Sequence, residues 1–230
     1  MKVGMIADIH GNLPAFEAVL NDMKDQTEQI LFLGDLVGYY GFSEECARLL
    51  DSPEFISIRG NHDQVFLNAF ENNQPVPEDY TRRYGSALAR NMAEFSNAVG
   101  VQVKLWPLSR KLQLSSLSIA MYHGSPWDVL EGRIYPDFPD WQKFETCPED
   151  IILLGNTHYP FVKVWKNKII SNPGSVGQPR NGGGKAHYAV LDTDLKQIEL
   201  KAVSYDAASI IEDAEKYDPQ NEYLVKIFQR

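Results

Sequence analysis

Cysteine, basic charge and long apolar runs are all scarce in this chain of 230 residues. Its two cysteines, Cys46 and Cys147, lie far apart and form no Cys-x-x-Cys pair, which argues against a zinc ribbon or a disulfide framework. No run approaches the roughly 18 apolar residues of a membrane-spanning helix, and the first strand pattern begins without a signal-type apolar stretch. We therefore expect a protein of the reducing cytoplasm that is neither exported nor membrane-spanning.

The shortage of basic residues also limits the class of partner. The chain has 22 Lys and Arg against 31 Asp and Glu, a net charge of -9, which argues against a broad surface for duplex nucleic acid. An anionic substrate would have to be bound locally, by metal ions or a few arginines. A hydrophobic content of 43% supports a core at this length, and no linker divides the sequence, so we expect a single domain over residues 1–230.

Five short apolar runs each end in residue types that bind metals. They lead into Asp8-Ile9-His10, Gly34-Asp35, Gly60-Asn61-His62-Asp63, His123-Gly124-Ser125 and Gly155-Asn156-Thr157-His158. In open α/β sheets, ligands bind beyond the carboxyl ends of the strands, so residues distant in sequence can meet there. Four of the five histidines lie in these motifs. The pattern predicts a site of mixed nitrogen and oxygen ligands, which suits Mn, Fe, Co, Ni or Zn better than Ca.

The spacing of apolar residues indicates how these motifs are connected. Strand, loop and helix alternate up to Asn61, which is typical of a mostly parallel sheet. Residues 64–111 have a helical pattern that predicts a cap or an outer helical layer, and short strands from Leu112 onward predict a second sheet packed on the first. We expect a long loop at residues 126–148, a hairpin turn at residues 181–185, and a helical segment at residues 207–230 that docks on the core.

Taken singly, the motifs differ in specificity. Asp8-Ile9-His10 is equally well explained as a polar turn in which Asp8 caps the next helix. Gly34-Asp35 is ordinary turn chemistry. The Asn61-His62-Asp63 sequence is more specific, because a turn has no need of a histidine.

Taken together and in order, the motifs resemble those of a known family. With Asn172-Pro173-Gly174-Ser175-Val176, they resemble the motifs of calcineurin-like metallophosphoesterases, most closely the small prokaryotic branch of phosphodiesterases and diadenosine-tetraphosphatase-like enzymes. The resemblance extends from Lys2 to about Leu191. It implies an α/β fold, a four-layer α-β-β-α sandwich of two mixed sheets flanked by helices, with residues 64–111 as a cap-like insertion.

The resemblance also implies two divalent metal ions, with Mn as the leading candidate and Fe, Ni, Co or Zn as the alternatives. The first ion would be held by Asp8, His10, Asp35 and His158, and the second by Asp35, Asn61 and His123, with Asp35 bridging. Such a pair of cations lowers the pKa of a bridging water, which attacks phosphorus in line, and neutralises the phosphoryl oxygens.

By the same resemblance, His62 would be the general acid on the leaving oxygen. Asp63 would orient its ring or hold it protonated. The alternative is that His62 is a structural hydrogen-bonding residue of its loop.

One position departs from the family pattern. The fifth motif is usually Gly-His-x-His, and Asn156 replaces the first of these histidines, which completes the second metal site in the family. An amide oxygen is a neutral, hard donor that binds borderline metals less well than imidazole does. We therefore predict that Asn156 leaves the second site weaker, so that it fills only at high Mn concentration.

Substrate contacts are less strongly indicated. Arg180 follows the loop at residues 172–178, where it would either clamp a phosphate or lie in a solvated turn. Asn12 would either contact phosphate or cap a helix. The leading hypothesis is a phosphoesterase acting on a small phosphodiester, nucleotide or phosphomonoester. The alternatives are a phosphoprotein phosphatase and a non-catalytic scaffold or ligand-binding module on the same fold.

Overall fold

The computed structural model describes residues 1–92, 95, 97–181 and 184–229. The strands in this part of the chain are β1 Lys2–Ile6, β2 Gln29–Phe32, β3 Phe55–Ser57, β4 Ser109–Leu114, β5 Leu117–Tyr122, β6 Ile151–Leu153, β7 Phe161–Trp165, β8 Lys168–Asn172, β9 Ala186–Asp192 and β10 Gln197–Val203. The helices are α1 Leu13–Met23, α2 Ser43–Leu50, α3 Asn61–Asn72, α4 Glu78–Tyr84, α5 Ala87–Asn91, α6 Asn97–Leu105, α7 Ala208–Tyr217 and α8 Tyr223–Lys226. Short 3-10 helices span Trp141–Thr146 and Ile227–Gln229.

The strands form two mixed five-stranded sheets, each with three neighbouring parallel strands. The first sheet has the order β10-β9-β1-β2-β3, in which β1, β2 and β3 are parallel, and the second has the order β4-β5-β6-β8-β7, in which β5, β6 and β8 are parallel. Each of these six parallel strands is followed by one of the six sequence motifs. The two sheets therefore bring all the motifs to the carboxyl ends of parallel strands.

Alternation along the strands divides the core into layers. Val3 and Met5 of β1 face a cluster between the sheets that includes Leu31, Ile119 and Leu153. Ile6, next to Met5, faces the opposite way, into the cluster beneath the helices. Because side chains in a strand point alternately to its two faces, a strand covered on both sides is apolar throughout. The predicted four-layer sandwich is confirmed.

The outer face of the second sheet is covered differently from the prediction. Residues 126–148, expected as a long loop, contain the 3-10 helix Trp141–Thr146. Trp141 and Phe144 of this helix are buried against the second sheet, and the Trp141 and Phe161 ring centroids lie 5.8 Å apart. The prolines of this segment disfavour a longer regular helix, whereas its aromatic rings still bury apolar surface.

The predicted helical segment begins and ends earlier than expected. Helices α3 to α6 span residues 61–105 and β4 begins at Ser109, while residues 93, 94 and 96 lie outside the described part of the chain. Val99 of α6 and Phe66 of α3 pack in the helical layer on the first sheet. Helix α4 lies instead beside the carboxyl ends of the strands, where its Tyr80 hydroxyl contacts the His62 ring.

The C-terminal helices dock on α5 and on the loop after β2. Arg90 donates to both carboxylate oxygens of Asp213 at 3.2 and 2.8 Å, and the Tyr40 hydroxyl donates to the Leu224 carbonyl at 3.1 Å. The expected docking of a helical segment is thus confirmed for its described residues, which end at 229. The turn expected at residues 181–185 includes residues 182 and 183, which lie outside the described residues. Among the described helices, every one is too short or too polar to cross a membrane.

Candidate metal centre and active site

At the carboxyl ends of the parallel strands, the backbone bends sharply through an uncommon conformation. Left-handed φ angles occur at five residues other than glycine: Asp8 (56°), His10 (52°), Asp35 (64°), Asn156 (62°) and His158 (64°). Each such residue costs about 1–2 kcal/mol relative to right-handed backbone. Backbone hydrogen bonds stabilise these bends. The Asp8 amide donates to the Gly34 carbonyl at 2.9 Å, and the His10 amide donates to the main-chain carbonyl of Asp35 at 3.0 Å. The first bend brings Asp8 and His10, two residues apart, into the same cluster of side chains.

Three histidines in the loops at these strand ends are held in place by main-chain carbonyls. Nδ1 of His10 lies 2.9 Å from the Val37 oxygen, Nδ1 of His123 lies 2.8 Å from the Leu33 oxygen, and Nδ1 of His158 lies 2.7 Å from the Gln178 oxygen. A carbonyl can only accept, so each Nδ1 carries the proton and donates it. In the neutral ring, Nε2 is then left with a free lone pair, as a metal ligand requires.

The Nε2 atoms converge on two buried carboxylates. His158 Nε2 lies 3.6 Å and His10 Nε2 lies 4.0 Å from Oδ1 of Asp8, and His123 Nε2 lies 3.2 Å from Oδ2 of Asp35. Ligands that share one cation at about 2.1 Å are separated by roughly 3.0–3.4 Å. The spacing is therefore close to that of a metal site. Asp8, His10 and His158 form one group of candidate ligands, and Asp8, Asp35 and His123 form an adjoining one. A third group joins His62 to His10 and Asp35.

The amide of Asn61 extends the second group. Its Oδ1 lies 3.1 Å from His123 Nε2. Asn61 begins helix α3, directly after Gly60, whose position tolerates no side chain. A Cβ built at Gly60 would lie 2.1 Å from Oδ1 of Asp35. The glycine thus allows the start of α3 to approach the metal ligands closely.

The donor set fits a bound cation. Both carboxylate oxygens of Asp8 are buried and have no hydrogen-bond partner among the described residues. Nε2 of His10 and Nε2 of His158 lie 3.2 Å apart, so two lone pairs face each other. Unsatisfied buried charge is strongly destabilising, and a divalent cation between these atoms would satisfy them all.

Burial and mutual charge shift the pKa values of these groups. Burial raises the pKa of Asp8 to about 8 and lowers the pKa of His10 to about 3. Burial also opposes charge on Asp35, but the imidazoles of His123 and His62 hold its pKa well below its ordinary value. Burial likewise opposes charge on His123, yet the carboxylates of Asp35 and Asp8 raise its pKa to about 10. A cation bound beside His123 must therefore displace a proton.

His62 differs from the three other rings. Its Nδ1 lies 2.6 Å from the Tyr80 hydroxyl, and its Nε2 lies 4.0 Å from Oδ2 of Asp35. Burial raises the pKa of Tyr80 well above its usual value, so the phenol keeps its proton and can donate it to Nδ1. Burial lowers the pKa of His62 to about 4. A neutral His62 that accepts at Nδ1 carries its proton on Nε2.

Asp63 has a different role from the one predicted. Its carboxylate accepts from the backbone amides of Asp35 at 2.8 Å, Leu36 at 2.8 Å, Val37 at 3.3 Å and Gly60 at 3.0 Å. It therefore ties the loop after β2 to the start of α3. Tyr80, and not Asp63, is the residue that holds the His62 ring.

A pocket of about 270 Å³ opens over this cluster. It is lined by Asn61, His62, Asn156 and His158, by the arginines Arg83, Arg133 and Arg180, and by the tyrosines Tyr39, Tyr84 and Tyr223. Arg180 donates to the Tyr39 hydroxyl at 3.4 Å, while its Nε is buried without a hydrogen-bond partner among the described residues. Of the two possibilities for Arg180, this position supports the phosphate clamp over the solvated turn.

A model of the calcineurin-like phosphoesterase superfamily domain matches residues 1–196. The chain belongs to this superfamily. The predicted enzyme class, a metallophosphoesterase, is confirmed, and the ligand groups above are those of a divalent metal enzyme.

Three relatives illustrate the range of the superfamily. An uncharacterized protein of Methanocaldococcus jannaschii is 32% identical over 226 residues, which cover 89% of this chain and 88% of that protein. Serine/threonine-protein phosphatase 2 of Escherichia coli is 30% identical over 71 residues, covering 30% of this chain and 33% of the phosphatase. The crystal structure of a metallophosphoesterase from Sphaerobacter thermophilus has a TM-score of 0.79 at 24% identity and covers 99% of this chain and 98% of its own, which shows a common fold.

Two asparagines predicted at the site of this phosphoesterase make mainly structural contacts. Asn156 lines the pocket, but its Nδ2 donates to the carbonyls of Leu130 at 3.2 Å and Gly132 at 3.1 Å. Asn12 is fully buried; its Oδ1 accepts from the Ala15 amide at 3.2 Å and its Nδ2 donates to the Gly177 carbonyl at 2.9 Å. For Asn12 the structure therefore supports the helix cap, and not the contact with substrate.

Sequence reasoning missed most of the tyrosines around the pocket. Tyr80 and Tyr84 are four residues apart on α4, so they lie on the same face of the helix. Tyr39 follows the Asp35 motif by four residues and packs on His10 with ring centroids 4.6 Å apart. The sequence signal for these residues is a tyrosine close to a ligand motif, or two tyrosines at helical spacing.

Proposed function

We propose that this chain is a Mn²⁺-dependent phosphoesterase that binds two metal ions and hydrolyses a small phosphodiester, nucleotide or phosphomonoester. The observation that carries the proposal is the convergence of the Nε2 atoms of three histidines on the carboxylates of Asp8 and Asp35, beneath a pocket with arginine side chains in its wall. Membership of the superfamily supports the class of reaction.

The residues of the chain would divide the work between the cluster and the pocket wall. When bound, divalent cations lower the pKa of a ligated water and neutralise negative charge on the phosphoryl group. Arg180 binds phosphate oxygens, because its half-buried, permanently charged guanidinium lies in the pocket wall. His62 would protonate the leaving oxygen from Nε2 in its imidazolium form, in which Nδ1 donates to the Tyr80 oxygen, so that proton transfer leaves a neutral ring.

A phosphoprotein phosphatase is the second candidate. The local similarity to serine/threonine-protein phosphatase 2 favours it. The small volume of the pocket, about 270 Å³, and the tyrosines at its wall favour a small substrate instead. The non-catalytic alternative has less support, because the buried ligands and His62 form a set that a scaffold does not need.

The test is an assay of bis-p-nitrophenyl phosphate, p-nitrophenyl phosphate, diadenosine tetraphosphate and a phosphoserine peptide with Mn, Ni, Co or Mg. We expect metal-dependent hydrolysis of at least one small ester, with the highest rate in Mn. Faster turnover of the peptide would favour the phosphatase. Absence of metal-dependent turnover with all four substrates would overturn both enzymatic proposals.

We also propose a cytoplasmic location. Cys46 and Cys147 are both buried free thiols, which supports a reducing compartment.

A further inference from the structure

The turn that follows His123 is rigidly connected to this metal ligand. The Gly124 amide donates to the Val129 carbonyl at 2.8 Å, and the Ser125 amide donates to the Asp128 carbonyl at 2.8 Å. At the far side of the turn, the Glu131 amide donates to Oδ1 of Asp128 at 3.0 Å. The position of Glu131 is thus set by the same short segment that places His123.

Asn156 holds this turn from the other side. Its Nδ2 donates to the carbonyls that flank Glu131, at 3.2 Å to Leu130 and 3.1 Å to Gly132. Each donation satisfies a carbonyl of an irregular segment. At the position where the family pattern has a histidine, this chain therefore has a residue that fixes the turn carrying Glu131.

Glu131 in turn contacts a candidate metal ligand. Nδ2 of Asn61 donates to Oε1 of Glu131 at 3.2 Å, while Oδ1 of the same amide lies 3.1 Å from His123 Nε2. An amide has one donor end and one acceptor end, so a carboxylate that accepts from the nitrogen turns the oxygen toward His123. The negative charge of Glu131 also polarises the amide and makes its oxygen a better ligand.

We propose that Glu131 is a positioning residue of the second metal site: its carboxylate orients and polarises Asn61, and Asn156 holds the turn that carries it. The proposal rests on the two-metal site of the proposed function. It explains how the chain retains a usable second site where an imidazole is replaced by an amide. Residues that orient metal ligands typically change metal affinity by about 10–100-fold when they are altered.

The test is calorimetric titration of Mn²⁺ into the metal-free full chain. In the unaltered protein we expect two binding events of different affinity. Glu131→Gln should weaken the second event about 10-fold and leave the first unchanged, because the neutral amide keeps the size of the side chain and loses its charge. Glu199→Gln is the matched control, since it removes the same charge from an exposed position on β10.

A second pair of variants tests the part played by Asn156. In an Asn156→His background, the imidazole is itself a ligand and the two bonds to the turn are lost. Glu131→Gln should then weaken the second ion by less than it does in the unaltered protein. An equal effect in both backgrounds would overturn the role given to Asn156.

The proposal as a whole is overturned if Glu131→Gln binds both ions as the unaltered protein does. It is also overturned if Glu199→Gln weakens the second ion equally, since the effect would then be one of net charge. Unchanged Mn²⁺ binding in Glu131→Gln with normal hydrolysis would refute this inference and leave the proposed function intact. Normal Mn²⁺ binding without hydrolysis in the unaltered protein would refute the proposed function and leave this inference intact.

Discussion

Three of the histidine rings at the site and the fourth, His62, have hydrogen-bond partners of opposite kinds. His10, His123 and His158 have a main-chain carbonyl at Nδ1, whereas His62 has the hydroxyl of Tyr80. A carbonyl only accepts, which leaves Nε2 bare for a metal. A buried phenol can donate to the neutral ring, which keeps the proton on Nε2, and it can also accept from Nδ1 of the imidazolium that acts as the acid. The group behind each imidazole therefore distinguishes a ligand from an acid.

The largest expected effect comes from removing charge in the cluster. Asp8→Asn keeps the shape of the side chain but removes the carboxylate on which His10 and His158 converge. We expect loss of one tightly held ion and a fall in kcat/KM of at least about 1,000-fold, since the metal supplies the nucleophile. Metal content and hydrolysis are measured together. Asp79→Asn, which breaks an exposed ion pair with Arg82, is the control and should change neither.

Removing the His62 ring should impair catalysis and leave metal binding unchanged. We expect His62→Ala to lower kcat by roughly 100-fold or more, the usual contribution of a general acid, with unchanged metal content. The loss should be greater for an alkyl phosphodiester than for a p-nitrophenyl ester, because nitrophenolate leaves without protonation. Turnover unaffected by the substitution would exclude His62 as the acid. A loss of metal equal to that of Asp8→Asn would place His62 with the ligands.

A substitution at Asn156 should raise the affinity for metal, whereas the substitution at Asp8 lowers it. Asn156→His adds an imidazole at the edge of the second site, and we expect the affinity for the second Mn²⁺ to rise about 10-fold. The loss of the bonds to Leu130 and Gly132 reduces this gain. Titration of the metal-free protein measures it. If the affinity falls, the contacts of Asn156 with the turn matter more to this site than an added ligand does.

Much of this arrangement can be predicted from sequence because it depends on patterns of few residues. Apolar runs such as 119–122 predict strands, and the alternation with helices predicts that they are parallel. The ligand-bearing motifs must then meet at one edge. The parallel strands and the convergence of His10, His123 and His158 follow from these two steps, whereas the four-layer sandwich is implied by the resemblance to the family.

The errors concern the direction in which side chains point. Asp63 is adjacent to His62 in sequence, but at the third position of α3 its carboxylate turns back to the Gly60 amide, a capping interaction. Asn12, for which the sequence left both a cap and a substrate contact open, is the N-cap of α1 and accepts from the Ala15 amide. The left-handed backbone of Asp8 and His10 suits their residue types, which adopt it more often than most, but the sequence alone does not show where it occurs. The contact of Tyr80 with His62 depends on where a separate helix docks.

The smallest effect should come from the hydroxyl behind His62. Tyr80→Phe keeps the ring but removes the donor to Nδ1, so the His62 proton is no longer confined to Nε2. The loss of one such hydrogen bond amounts to about 1 kcal/mol, which predicts a fall in kcat of roughly 5-fold, with unchanged metal content and unchanged KM. Tyr217→Phe, at an exposed tyrosine of α7, is the control. The substitution leaves His10, His123 and His158 with their carbonyl partners. A change in metal affinity in Tyr80→Phe would therefore contradict the separate roles given to these rings and to His62. An unchanged kcat would show that His62 keeps its proton on Nε2 without help from Tyr80.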